Sequence, residues 1–181
     1  MITLYWKTNG PANTLGTIKL ALEAATAKNI DDIVVASCSG QTALLLAGKT
    51  SNIICVSHAQ GFTEPGTNEL SKTMRSELTA KEVKILTTTH ILSGAERGIS
   101  RKFGGTYPVE IMAHTLRMFG QGVKVCVEIA VMALDAGFVP YGKEIIAIGG
   151  SGQGADTAVV IRPSHASNIF DTFISEIICK P

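Results

Sequence analysis

A short run of small polar residues, between an apolar segment and a helical pattern, has the composition of an anion-binding loop. The apolar run Ile33–Ala36 ends in SCSGQT, and a helix-like pattern follows from Ala43. A strand that leads into a helix in this way presents free backbone N–H groups at the positive end of the helix dipole. Such a position binds phosphate and other anions. The candidate ligand-binding residues of this loop are Ser37, Cys38, Ser39, Gly40, Gln41 and Thr42.

A helix N-cap is the simpler interpretation of this loop, with Ser39 only satisfying backbone donors. We favour anion binding, because capping needs one such residue and the loop has several, together with Gly40 for close backbone approach. The G-x-x-x-x-G-K-[ST] pattern of a Walker-type nucleotide site is absent. At a helix start Cys38 would have a lowered pKa and a reactive thiol, although a small residue in a tight loop is the interpretation we prefer.

A second glycine-rich segment, GGSGQGAD, follows the strand-like run Glu144–Ile148. It fits the loose G-x-G-x-x-[GA] pattern, but a strand pattern follows it, whereas a Rossmann dinucleotide site requires a helix. A hairpin turn is one interpretation. We favour close approach of the backbone to a flat or bulky ligand, because four glycines in six residues exceed what a turn needs. The candidate residues are Gly149, Gly150, Gly152, Gly154, Asp156 and Thr157.

Two more polar segments follow predicted strands. His58 suits donation to an anion or a ring carbonyl, and Phe62 suits stacking on a planar ligand, but a loop histidine without a role and an inward-packed phenylalanine stay open. The candidate residues here are His58, Gly61, Phe62 and Thr89.

Charged side chains in the middle of the chain give weaker indications. Arg97 and Arg101 share a helix face and would bind phosphate if they faced inward, although outward-facing solvated charges are the default. Glu110 and His114 also have helical i,i+4 spacing, which is more often structural than metal-binding. We predict no metal site, because no spacing resembles a zinc site.

Composition narrows the classes of function. The chain has 181 residues, 45% of them hydrophobic, and a net charge of +1, so we predict one domain over residues 1–181 and no nucleic-acid partner. The four cysteines form no C-x-x-C pair, which favours a reducing cytoplasm. No signal peptide or membrane span is expected. The apolar content is compatible with a homo-oligomer.

Unbroken apolar strands alternate with helical patterns along the chain, which predicts an α/β fold with a mostly parallel sheet covered on both faces. Ligands bind such sheets at the carboxyl ends of the strands, where both glycine-containing loops would lie. The predicted strands are Ile2–Trp6, Ile33–Ala36, Ile53–Ser57, Val83–Thr88, Glu144–Ile148, Thr157–Arg162 and Ile174–Cys179. The predicted helices are 14–28, Ala43–Gly48, Glu69–Lys81, Ala95–Phe103, Pro108–Phe119 and Val123–Ala136.

The run IDDIVVASCSGQTALLLAGKTSNIICVSH and the segment GGSGQGAD resemble the C-terminal α/β domain of pyruvate kinase. The closer resemblance is to stand-alone proteins of that type, which share the S-C-S-G, H-x-x-G-F and G-G-x-G-x-G-A-D segments. It implies a three-layer α/β/α fold and, as in some members, binding of flavin mononucleotide (FMN). The phosphate would then sit on Ser37–Thr42, with the ring near Gly149–Thr157 and His58–Phe62.

Three functions follow as expectations. The first is binding of a phosphorylated planar ligand, with FMN foremost. The second is a non-catalytic regulatory module for a sugar phosphate or nucleotide. The third is a hydrolase that uses Ser39 or Cys38 with His58 or His90. Phosphoryl transfer to make pyruvate or ATP is not expected, because pyruvate kinase needs a large barrel domain that 181 residues cannot contain. Whether the protein is an enzyme stays open.

Overall fold

Seven strands form a single sheet in the computed structural model, which describes residues 2–181. The strands are β1 (Leu4–Tyr5), β2 (Asp32–Ala36), β3 (Asn52–Ser57), β4 (Lys84–Thr87), β5 (Ile145–Gly149), β6 (Thr157–Arg162) and β7 (Phe173–Lys180). The helices are α1 (Thr14–Lys28), α2 (Gln41–Leu46), α3 (Lys72–Ala80), α4 (Gly94–Phe103), α5 (Pro108–Arg117) and α6 (Gln121–Asp135).

The strand order is β1-β7-β6-β5-β2-β3-β4. Strands β5, β2, β3 and β4 are parallel neighbours, and β1 is parallel to β7, whereas β6 is antiparallel to both of its neighbours. The predicted α/β fold with a mostly parallel sheet is therefore confirmed. The carboxyl ends of β2, β3, β4 and β5 meet at one edge of the sheet.

Alternate residues of the central strands enter two separate cores, because successive side chains of a strand point to opposite faces. Ile33 and Val35 pack with α1, α2 and α3 on one face, and Val34 packs with α6 on the other. Burial of both faces explains why these strands are continuous apolar runs rather than alternating ones. None of the helices in residues 2–181 is both long and apolar enough to cross a bilayer.

Some element bounds differ from the sequence prediction. Helix α3 begins at Lys72 rather than Glu69, because Ser71 caps it by accepting a hydrogen bond from the Met74 N–H at 3.1 Å. Helix α2 begins two residues earlier than predicted and ends before Gly48. Strand β1 is shorter than predicted and lies at the sheet edge. Residues 58–71 consequently form a long loop between β3 and α3.

The amino end of α6 lies directly against β6. A Cβ added to Gly122 would meet Thr157 Oγ1 at 2.0 Å and Thr157 Cβ at 2.4 Å, so no larger residue fits this contact without displacing the helix or the strand. The close approach fixes the position of α6 over the sheet edge at which β2 and β5 end.

We predict that Gly122→Ala lowers the free energy of unfolding by about 1–3 kcal/mol, because the added methyl group has no space. Gly98→Ala is the matched control, since it also lies in a helix and no atom lies within 4 Å of its added methyl group. The control should keep or slightly raise stability, as alanine is the better helix former. Denaturant unfolding measures both variants, and a Gly122→Ala protein as stable as the wild type would contradict this account.

Candidate functional site

A cavity of about 430 Å³ lies between the carboxyl ends of β2 and β3 and the helices α4, α5 and α6. The strand side supplies side chains from the segments after β2, β3 and β4, and the helices supply the opposite wall. Its polar lining consists of Cys38, Ser57, His58, His90, Ser93, Arg97, Glu110, His114, Arg117, Gln121, Lys124 and Glu128.

A thiol, an imidazole and a carboxylate form a continuous chain at the strand side of the cavity. The Cys38 Sγ lies 3.1 Å from Nε2 of His58, and Nδ1 of the same ring lies 2.9 Å from Oε1 of Glu69. The three residues come from different parts of the chain. Cys38 lies just after β2, His58 just after β3, and Glu69 in the loop before α3. We call these three residues the thiol–imidazole–carboxylate chain.

The ionisation state of Glu69 determines which nitrogen of His58 carries the proton. Desolvation alone would raise the pKa of the Glu69 carboxyl, but hydrogen bonds from His58 and Thr63 and the charge of His58 outweigh it and lower the pKa. An ionised carboxylate can only accept a hydrogen bond, so Nδ1 donates to Glu69. In the neutral ring, Nε2 is then left with a lone pair directed at the thiol of Cys38.

The thiol of Cys38 is protonated at neutral pH. Burial, together with the negative charge of Glu69, raises the pKa of Cys38 to about 11. The lowered pKa expected from a position at a helix start is therefore wrong, because α2 begins only at Gln41 and burial dominates.

A network of hydrogen bonds fixes the backbone around His58. Asn68 Nδ2 donates to the His58 carbonyl oxygen at 2.8 Å, and Arg75 Nη2 donates to Asn68 Oδ1 at 3.3 Å. The same Arg75 nitrogen donates to Thr87 Oγ1 at 2.7 Å, which is 2.6 Å from Ser57 Oγ. The long loop is thus tied to α3, β3 and β4, and the orientation of the imidazole follows from these ties.

Three aromatic rings form a group at the cavity wall, which we call the ring group. His58 and Phe62 are stacked with their centroids 3.8 Å apart, and His90 lies 5.5 Å from each of them. Phe62 remains 46% exposed, so one face is available to a ligand. Desolvation lowers the pKa of His90 despite the opposing charge of Glu128, and His90 is therefore neutral at neutral pH.

The helical wall carries charges of both signs. Lys124 and Glu128 are both buried and form an ion pair on α6, and Glu128 Oε1 also accepts a hydrogen bond from the Leu92 N–H at 3.0 Å. Arg117 donates from Nε to Gln121 Oε1 at 2.7 Å. Neither Arg97 nor Arg117 forms an ion pair with a carboxylate of residues 2–181, so both guanidinium groups are available to an anion.

The structure brings only part of the first predicted loop to the cavity. Of Ser37–Thr42, Cys38 alone lines it. Ser37 Oγ accepts a weak hydrogen bond from the Ala43 N–H at 3.4 Å, and both Ser37 and Thr42 are buried. Gly40 has a positive φ of 87°, and a Cβ there would meet Met74 Cγ at 2.4 Å. Side chains from α3 and the residues before it therefore occupy the space next to Gly40.

The second glycine-rich segment is the turn of a hairpin between antiparallel β5 and β6. It lies at the same sheet edge, but none of its residues lines the cavity. The buried Asp156 carboxylate accepts hydrogen bonds from the N–H groups of Gly10 and Ser151, and also from the Thr157 hydroxyl. A Cβ on Gly154 would meet Pro11 Cα at 2.6 Å. The group that approaches the backbone of Gly154 is therefore Pro11 of the protein itself rather than a ligand.

Of the other sequence candidates, His58 and Phe62 line the cavity, and exposed Gly61 and Thr89 do not. Arg97 lines it although the default expectation was an outward-facing charge, and Arg101 does not. Sequence reasoning missed Glu69, Arg117 and the Lys124–Glu128 pair as site residues. The pair had a visible signal, since two charges four residues apart interrupt an otherwise apolar helix.

A family model described as pyruvate kinase, alpha/beta domain, matches residues 16–161. The match includes the thiol–imidazole–carboxylate chain, the ring group and every helix of the cavity wall. The chain therefore belongs to the pyruvate kinase alpha/beta domain family, and the resemblance found in the sequence is confirmed.

The lowered pKa of His90 predicts a specific pH dependence of stability. The unfolded chain takes up a proton near the usual value of 6.5, but the folded protein does so only at lower pH. The contribution of His90 to the free energy of unfolding is therefore fully present above pH 6.5. It is lost as the pH falls through the pKa of His90 in the folded protein. We expect the stability of the wild type relative to His90→Gln to decrease between about pH 7.5 and about pH 5. Urea unfolding across this range measures it, and a constant or increasing difference would contradict the assignment.

Proposed function

We propose that this member of the pyruvate kinase alpha/beta domain family binds a phosphorylated planar ligand in the cavity, with FMN as the specific candidate. The observation that supports the proposal is the presence in one cavity of a partly exposed stack of rings and two guanidinium groups without carboxylate partners. A flat ring and a phosphate are the two groups that such a lining complements.

The ring group is suited to the flat part of the ligand. Phe62 stacks on His58 with one face and is 46% exposed, so its outer face offers a planar surface. Aromatic side chains favour offset stacking on other ring systems. His90, neutral because its pKa is lowered, adds a third ring with a hydrogen-bonding nitrogen and no charge to desolvate. A ring carbonyl or ring nitrogen is the natural partner for that imidazole.

The helical wall is suited to the phosphate. Guanidinium groups bind phosphate through paired N–H donors, and Arg97 and Arg117 are both available. The Lys124–Glu128 pair adds polar groups to this wall without changing its net charge. The cavity volume of about 430 Å³ lies within the range of pockets that hold small molecules. This proposal places the phosphate on α4 and α5 instead of on Ser37–Thr42, where the sequence resemblance suggested it.

The role of the protein in this proposal is binding and orientation. When bound, FMN would supply redox chemistry through its isoalloxazine ring, which carries the reactivity itself. Phe62, backed by His58, would hold one face of the ring, and the arginines would anchor the opposite end.

Titration of the purified protein with FMN tests the proposal, with quenching of flavin fluorescence as the measurement. We expect the wild type to bind, and we expect Phe62→Ala and Arg117→Gln each to weaken binding by about 10-fold to 100-fold through loss of stacking or of a charge-assisted hydrogen bond. Arg101→Gln is the matched control. Arg101 lies on α4 but does not line the cavity, so its substitution should leave binding unchanged.

Riboflavin separates the two ends of the ligand, since it has the ring without the phosphate. Arg117→Gln should leave riboflavin binding unchanged and weaken FMN binding only. If Arg101→Gln and Arg117→Gln have equal effects, or if Ser39→Ala has the larger one, the phosphate is not held on the helical wall. Stabilisation by sugar phosphates or nucleotides without any response to FMN would favour the regulatory-module alternative.

A further inference from the structure

We propose that the cavity also supports an acyl-transfer activity, in which Cys38 is the nucleophile, His58 the general base and Glu69 the positioning residue. The proposal goes beyond ligand binding and does not depend on FMN. It rests on the thiol–imidazole–carboxylate chain, in which Cys38 contacts His58 and His58 contacts Glu69, each within hydrogen-bonding distance. Cys38 and His58 line the cavity, and Glu69 lies behind the imidazole.

Cys38 differs from the other cysteines in the partner of its sulfur. The thiols of Cys55 and Cys126 are fully buried and lie against backbone carbonyl oxygens, at 3.6 Å from Ser37 O and 3.3 Å from Ala147 O respectively. Cys38 is only partly buried and lies against the imidazole nitrogen of His58. A nucleophile needs an adjacent base and access to a substrate, and Cys38 alone among these thiols combines the two.

The Glu69 carboxylate fixes the tautomer and the orientation of the His58 ring. Glu69 accepts the Nδ1–H hydrogen bond, so Nε2 is the nitrogen that can take a proton from the thiol. Because the pKa of Cys38 is raised to about 11, the thiol is protonated before it attacks. The proton therefore moves during attack, as in general base catalysis, and no thiolate–imidazolium pair is formed beforehand.

The reaction balances with water as the only co-reactant. Cys38 Sγ forms a bond to the carbonyl carbon of an ester or thioester while its proton moves to Nε2 of His58. The tetrahedral adduct collapses, the bond to the leaving group breaks, and the leaving group takes the proton from Nε2. Water then attacks the acyl-cysteine and gives a proton to Nε2. The carbon–sulfur bond breaks, Cys38 regains that proton, and a carboxylic acid is released.

The opposite wall indicates the class of acyl compound. Arg97 and Arg117 line the same cavity without carboxylate partners, so a substrate with an anionic group away from its carbonyl would be held across the cavity. We therefore infer an ester or thioester that carries a carboxylate or a phosphate.

Reaction of the protein with para-nitrophenyl acetate as the probe tests the proposal. We expect a burst of para-nitrophenol and one acetyl group per chain, which mass spectrometry of the proteolysed wild type locates on Cys38. Cys38→Ser and Cys38→Ala should both lose the acylated peptide, and His58→Gln should slow acylation about 100-fold to 10,000-fold. Ser39→Ala is the matched control and should acylate at the wild-type rate. Acetyl groups found only at other residues, or equal acylation of Cys38→Ala, would overturn the proposal.

The positioning role of Glu69 has a separate readout. Glu69→Gln should slow acylation, because an amide can stabilise either ring tautomer, and Glu69→Asp should restore part of the rate by restoring the carboxylate. Equal rates for the two variants would remove Glu69 from the proposal.

The class of substrate is tested with mono-para-nitrophenyl succinate, which carries a carboxylate. Arg117→Gln should slow acylation by the succinate ester more than acylation by the acetate ester, whereas Arg101→Gln, outside the cavity, should change neither rate. Equal effects of Arg117→Gln on both esters would overturn the anionic-substrate assignment. FMN titration of Cys38→Ser separates the two proposals. Retained FMN binding without acylation in the wild type would overturn the acyl-transfer proposal alone.

Discussion

The register of β2 against β3 is the constraint on which the site depends. Parallel pairing sets Ala36 opposite Val56, and the Ser37 N–H continues the ladder by donating to the Val56 carbonyl oxygen at 3.0 Å. Cys38 and His58 each lie two residues beyond this pair, so they leave the sheet side by side. A slip of one residue would turn every buried side chain of β2 to the opposite face. The apolar cores on both faces of the sheet therefore also hold the thiol against the imidazole.

The helical wall is held by a different set of interactions. The contact of Gly122 with Thr157 fixes the amino end of α6, and the Lys124–Glu128 pair ties the helix through Leu92 to the segment after β4. A buried ion pair adds little to stability compared with a well-packed apolar pair, but removal of one partner leaves a buried charge and is strongly destabilising. The pair is thus better explained by the polar character it gives to the cavity than by any gain in stability.

Much of the fold was predictable from local patterns. Continuous apolar strands and intervening helices were visible, since burial on both faces leaves a strong signal in β2, β3 and β5. The site was only partly predictable. The loops after β2 and β3 were found because the carboxyl ends of parallel strands must meet. The roles of Glu69, Gly40 and Gly154 depend on contacts with residues elsewhere in the chain, namely His58, Met74 and Pro11 respectively. No short sequence pattern predicts such contacts.

A crystal structure of the protein with bound FMN tests the central claim most directly. The account predicts that the isoalloxazine ring lies on the exposed face of the ring group and that the phosphate contacts Arg97 and Arg117. A phosphate bound instead to the backbone of Ser39–Gln41, with Met74 and Leu70 displaced from Gly40, would contradict it.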